Sequence, residues 1–141
     1  MSEVLYTSDY AKEFKKGGVV LGATCVRRRD FLASMFDDIP YVMMPPVFEK
    51  DKEGSNAFYL HCWYNAKVIV HVITPESNVL DGDLVRDDAN STSVKSMVVC
   101  FDGVGDDPIF AMLRARLERR GVRICDGLDE LRDVVRERCG M

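Results

Sequence analysis

The chain has 141 residues, of which 47% are hydrophobic and 30% are charged, and its formal net charge is −4 at pH 7. This composition suits one globular domain with a single core, which we expect to span residues 1–141. The acidic balance argues against a nucleic-acid partner, because phosphate contacts need surplus Lys and Arg. No apolar run reaches the roughly 20 residues of a membrane span, and residues 1–14 lack the order of a signal peptide. We therefore expect a cytoplasmic protein with no membrane partner.

Cysteine and histidine usage bears on redox state and metal binding. The five cysteines form no Cys-x-x-Cys pair, which disfavours a disulfide framework or a zinc ribbon and predicts reduced thiols. His61 and His71 lack partners at metal-ligand spacing, so we interpret both as structural. No glycine-rich dinucleotide or phosphate-binding loop is present. The sequence thus predicts neither a metal nor a cofactor.

Strand-like and helix-like segments alternate along the chain. Strands are predicted at residues 19–23, 41–44, 67–73, 97–101 and 122–125, and helices at about 8–16, 30–39, 58–64, 84–90, 109–120 and 128–135. The strand at 67–73 is indicated by its β-branched side chains. Helix faces are indicated by apolar spacing, as for Phe31, Leu32, Met35 and Phe36.

This alternation predicts an α/β fold: a single domain with a five-stranded, parallel, doubly wound sheet of the flavodoxin-like kind, flanked by helices. Ligands in such sheets bind at the carboxyl ends of the strands. Three of these ends carry suggestive residues, at positions 22–29, 44–47 and 74–85. Gly22 would let the backbone approach another group closely where its strand ends.

Two polar segments at these ends have both a structural and a functional interpretation. Glu76, Asp81 and Asp83 follow the third strand and are candidate reactive carboxylates, whereas the alternative is a solvated loop in which Asp81-Gly82 forms an ordinary turn. The three arginines at 27–29 form either a solvated first helical turn or an anion site. Cys25 precedes these cations, but no base is evident beside it, so we expect no nucleophile there.

The order of the segments adds a resemblance over about residues 18–135. GGVVLGAT, the arginine-led helix, YVMMPPV, NAKVIVHVITPE, MVVCF and GVRICDGLDEL resemble the nucleoside 2-deoxyribosyltransferase family. Gly22, Arg29 and Leu32 match its glycine turn and its Arg-x-x-Leu helix start. The segment 41–47 matches its aromatic-to-proline segment, and residues 127–131 match the start of its last helix.

The resemblance implies transfer of a deoxyribosyl group, or hydrolysis of the N-glycosidic bond, through a carboxylate that attacks the sugar. It also implies a nucleoside or nucleotide ligand, bound by Gly22, Pro45 and Asp81, and a homo-oligomer. In a relative that hydrolyses deoxynucleoside monophosphates, the arginines, here Arg28 and Arg29, would hold the phosphate.

The position of the nucleophile depends on how the loop is aligned with the family. Ten positions beyond Pro75 stands Val85, which cannot attack a sugar, whereas alignment on Asp81-Gly82 makes Asp87 the catalytic carboxylate. A carboxylate one methylene shorter than glutamate would place its oxygen differently, and a misplacement of about 1 Å can cost a hundredfold in rate. The alternative function is a non-catalytic domain of the same fold that binds a nucleotide-like ligand or another protein.

Overall fold

The computed structural model describes residues 17–43, 63–91 and 94–141. They form an α/β fold with one five-stranded sheet. The strands are β1 (Val19–Leu21), β2 (Val42–Met43), β3 (Val68–Ile73), β4 (Met97–Phe101) and β5 (Arg123–Cys125). Every strand pairing is parallel, and the spatial order is β2-β1-β3-β4-β5, which is the flavodoxin-like order. The predicted fold class is confirmed.

Within the described residues, helices follow β1, β3, β4 and β5, as the alternation predicted. A 3-10 helix (Ala23–Arg28) leads into α1 (Arg29–Met35), and α2 (Val79–Ser91) is followed by a short 3-10 helix (Val94–Ser96), α3 (Pro108–Arg119) and α4 (Leu128–Arg138). The predicted helix at 8–16 and most of the one at 58–64 lie outside the described residues. None of the described helices is both long and apolar enough to cross a membrane.

The two faces of the sheet carry separate hydrophobic clusters. Ile69 and Ile73 of β3 pack on the face covered by α2 and α3, whereas Val68, Val70 and Val72 pack on the face covered by α1 and α4. All six side chains of β3 are buried, as expected for a parallel strand covered on both faces. The polar exception is His71, which the alternation of the strand places on the same face as Ile69 and Ile73.

The start of α2 differs from the prediction. The Asn78 side chain accepts a hydrogen bond from the Asp81 backbone N–H at 3.1 Å, and the Asp81 carboxylate accepts one from the Asn78 N–H at 3.2 Å. This reciprocal pair is a capping box, which satisfies two donors that a helix start leaves unpaired. Asp81-Gly82 therefore lies in the first turn of α2, and the prediction of an ordinary turn there is wrong.

Two other helices show where simple sequence rules hold and fail. α3 begins after Asp107, whose carboxylate accepts from the Ile109 N–H at 2.9 Å, and ends before Gly121, whose φ is +86°. In α1, Leu32 is buried as predicted, but Phe31 is 53% exposed. The prediction of an inward-facing Phe31 is wrong, because the face that packs on the sheet is centred on Leu32 and Phe36 and leaves Phe31 outside it.

Candidate functional site

The sheet places its topological switch point between β1 and β3. These two strands are neighbours in the sheet, but the chain continues from β1 to β2 on one side and from β3 to β4 on the other. Ligands of doubly wound sheets bind outside the carboxyl ends of the strands at such a point. The chain leaving β1 is tied to β3 because the Gly22 N–H donates to the Val70 carbonyl at 2.8 Å. The chain leaving β4 is tied there too, through the Asp102 N–H and the Ile73 carbonyl at 2.8 Å.

Charged side chains from three turns meet at this point. Arg27 Nη1 lies 2.8 Å from Asp81 Oδ2, Arg28 Nε lies 3.2 Å from Asp102 Oδ2, and Arg28 Nη2 lies 3.6 Å from Glu76 Oε2. We call these five residues the switch-point cluster. It contains three carboxylates and two guanidinium groups, so its formal charge is negative.

The ionisation and exposure of the cluster determine which ligands it can accept. The hydrogen bond with the Thr74 side chain, followed by the positive charges of Arg28 and Arg27, lowers the pKa of Glu76. The Glu76 side chain is 62% exposed, and the two arginine side chains are about one third exposed. A phosphate would meet excess negative charge there, whereas hydroxyl groups would meet carboxylate acceptors.

Gly22 is in close contact with a protein side chain. A Cβ atom at this position would lie 2.4 Å from Cε1 and 2.5 Å from Nδ1 of His71. The backbone of Gly22 is extended, with φ −71° and ψ 169°, so space rather than conformation favours glycine. The group that the Gly22 backbone approaches closely is therefore the His71 ring. The predicted contact of Gly22 with a nucleoside stays a prediction.

His71 lies in a buried polar network. Its Nδ1 is 3.1 Å from the Thr24 hydroxyl oxygen, which also accepts from the Val72 N–H at 3.1 Å. Its Nε2 is 3.0 Å from Asp88 Oδ2, although the angle is outside that of a hydrogen bond. We assign the hydrogen to Nε2, because the carboxylate attracts a donor and the Thr24 hydroxyl can donate to Nδ1. The contacts with Thr24 and Asp88 thus support a structural role for His71.

Asp88 is the carboxylate that sequence reasoning missed. It stands seven residues after Asp81 and three after Val85, positions that share one face of an α-helix. Val85 is fully buried in the core and Asp81 is 9% exposed, so this is the face that packs against the sheet. The helix period would have selected Asp88 once the start of α2 was known.

Asp87, the predicted nucleophile, lies on the outer surface of α2. Its side chain is 70% exposed, and its nearest charged partner is Arg86 at 3.8 Å. Asp81 and Asp87 are six residues apart in one helix, which corresponds to a rotation of about 240° and a rise of about 9 Å. The two carboxylates therefore point in different directions and do not converge on one ligand.

Cys25 is an unreactive thiol in this setting. Its Sγ donates to the Val70 carbonyl at 3.2 Å, and burial raises its pKa to about 12. A thiol in this state supplies almost no thiolate at neutral pH. The four cysteines among the described residues are free.

The structure brings two of the predicted site residues, Arg28 and Asp81, into one cluster. Arg29 is half-buried at the start of α1, and Pro45 lies outside the described residues. Within residues 17–43, 63–91 and 94–141, no group of three or more His, Cys, Asp or Glu side chains could hold a metal ion. Comparisons with protein-family models, with curated proteins and with solved structures find no match.

Proposed function

We propose that the chain is a binding domain for an uncharged deoxynucleoside-like ligand, which it holds at the switch-point cluster without cleaving it. One observation carries this proposal: Arg27 and Arg28 are already paired with three carboxylates. These arginines are not free to receive a phosphate, but the carboxylates retain acceptor capacity. The nucleoside character of the ligand rests on the family resemblance.

The chemistry of a sugar fits this arrangement. Each ionised carboxylate has about four lone-pair positions, so an ion pair with one guanidinium nitrogen leaves others for hydroxyl donors. Hydrogen bonds to a charged acceptor each contribute roughly 1.5–3 kcal/mol. Glu76 is the most exposed carboxylate of the cluster, and we assign it the main contact with the sugar.

Covalent deoxyribosyl transfer has weaker geometric support. Transfer needs a nucleophile and a sugar-binding group that reach one ligand together. Asp87 and Asp81 lie on different sides of α2, and Asp87 is directed to solvent. Transfer at Asp87 therefore stays a prediction, as does the homo-oligomer that the resemblance implies.

The proposal is tested by titrating the protein with deoxyadenosine, deoxyinosine, deoxycytidine and thymidine, and with their 5′-monophosphates. Calorimetry would measure affinity, and chromatography of the same samples would measure free base. We expect at least one deoxynucleoside to bind, its monophosphate to gain no affinity that depends on Glu76, and no base to be released.

Two variants make this experiment specific. Glu76→Gln keeps the size of the side chain and removes the charge, and should weaken binding by roughly tenfold, which corresponds to about 1.4 kcal/mol. Glu137→Gln, an exposed residue of α4, is the charge-matched control and should leave the affinity unchanged. Equal affinity of the deoxynucleoside in both variants, or a monophosphate affinity that exceeds that of the nucleoside and falls in Glu76→Gln, would reject the proposal. Base release that Asp87→Asn abolishes would support transfer instead.

A further inference from the structure

A second cleft lies at the opposite edge of the sheet, where β3 and β4 begin. Its volume is about 560 Å³, within the range of roughly 300–1,000 Å³ that is usual for small-molecule sites. Its lining includes Tyr64, Asn65, Lys67, Lys95, Ser96 and Arg138. None of the described residues that line it is acidic, although the protein as a whole is. We call it the amino-edge cleft.

Arg138 is fixed at one wall of this cleft. Its Nη1 donates to the Lys95 carbonyl at 2.9 Å and to the Met97 carbonyl at 3.4 Å. Burial, and then the positive charge of Arg123, lowers the pKa of Arg138. Its guanidinium is therefore oriented in advance, with further N–H groups available for an anion.

The helix dipole of α4 accounts for only one of the three positively charged residues at the amino-edge cleft. Arg138 lies in the last turn of α4, where a positive charge is favoured by the helix dipole. Lys67 and Lys95 instead precede β3 and β4 and belong to no long helix. Both lysines line the same cleft as Arg138. Three chain segments thus bring positive charge to one cleft.

An aromatic side chain stands at the cleft. The Tyr64 side chain is 73% exposed, and its ring packs edge-to-face against the buried Trp63 with 5.2 Å between ring centroids. This contact holds the Tyr64 ring without covering its outer surface. Exposed, anchored aromatic rings are suited to stacking on a planar ligand.

We propose that the amino-edge cleft binds the phosphate groups of a small phosphorylated molecule. Lys67 and Lys95 would supply point charges, and Arg138 would supply a fixed planar donor group. Tyr64 would add a stacking surface if the molecule is a nucleotide. This site is separate from the switch-point cluster and does not depend on the function proposed there.

The test is calorimetric titration of the full chain with inorganic diphosphate and with ADP, at constant ionic strength and with sulfate as the control anion. Lys67→Gln/Lys95→Gln is the informative variant, because both residues are exposed and line the cleft. Arg119→Gln/Arg132→Gln, on the exposed surfaces of α3 and α4, removes the same charge elsewhere. Unfolding curves of both variants verify that they are folded.

We expect diphosphate to bind more tightly than sulfate, and the lysine variant to weaken binding by on the order of tenfold or more. The control variant should retain the affinity of the parent protein within about twofold, because surface charges beyond a Debye length are screened. If ADP binds more tightly than diphosphate and Tyr64→Ala removes the difference, the ligand is a nucleotide; equal affinities would indicate recognition of phosphate alone. The absence of diphosphate binding, or equal loss in the two double variants, would overturn the proposal.

Discussion

Replacing Gly22 with alanine tests the packing that closes the end of β1. The added Cβ would lie 2.4 Å from His71 Cε1, whereas real Cβ contacts are at least 3.0 Å, so the ring or the backbone must move by at least 0.6 Å. The ring cannot move freely, because His71 is 1% exposed and is held by Thr24. Overpacking of this kind costs about 1–3 kcal/mol, which corresponds to a fall in Tm of a few to about 10 °C in a chain of this size.

The assay is urea unfolding of the parent protein, Gly22→Ala, His71→Ala and the double variant. If the cost arises from the Cβ meeting the ring, Gly22→Ala should cost close to zero in the His71→Ala background. The coupling energy should then be about 1–3 kcal/mol.

Gly82→Ala is the matched control for this cycle. A Cβ at Gly82 would meet only Leu113 Cδ2 at an ordinary 3.5 Å, and alanine is favoured over glycine inside a helix by roughly 0.5–1 kcal/mol. Gly82→Ala should therefore be neutral or stabilising. A Gly22→Ala variant as stable as Gly82→Ala, or a cost that persists without the His71 ring, would refute the reasoning.

Three further predictions concern the capping box of α2, the buried polar network around His71 and the Glu76 carboxylate. Asn78→Ala removes a helix cap and should lower the free energy of unfolding, measured by urea unfolding, by about 1 kcal/mol. An unchanged free energy would contradict the capping box. His71→Phe preserves a ring but removes the nitrogen atoms that lie 3.1 Å from the Thr24 hydroxyl and 3.0 Å from the Asp88 carboxylate. It should lower the free energy of unfolding by roughly 1–3 kcal/mol, and a variant as stable as the parent would show that the network contributes nothing. Because the folded-state pKa of Glu76 is lowered, its stabilising contribution is present above the unfolded value of about 4.3 and is lost as the pH falls through the folded value. Glu76→Gln should flatten that part of the acid unfolding profile, and an identical profile would refute this.

The strands were predictable because burial on both faces of a parallel sheet demands a specific composition. The predicted strand at 97–101 coincides with β4, and 67–73 extends β3 by one residue. The start of α2 was not predictable from residue types alone, because Asn and Asp favour both turns and helix starts. The reciprocal hydrogen bonds of Asn78 and Asp81 identify this segment as a helix start and not a turn.

The candidate site was predictable in place but not in detail. The carboxyl ends of neighbouring parallel strands must meet at one edge, and Arg28 and Asp81 both lie in the switch-point cluster at that edge. Which carboxylate of α2 faces the sheet depends on the phase of the helix, and in the structure Asp88 faces the sheet and Asp87 faces solvent. The pairing of the arginines joins residues far apart in the chain, which no local pattern encodes.

The central claim is that the switch-point cluster binds the sugar of an uncharged deoxynucleoside. The most direct measurement is amide chemical-shift mapping of the isotope-labelled protein during titration with the deoxynucleosides. We predict saturable shifts at Arg28, Glu76 and Asp102, with smaller changes at the amino ends of the strands and no free base in the sample. Absence of shifts, or shifts confined to Lys67, Lys95 and their neighbours, would contradict the claim.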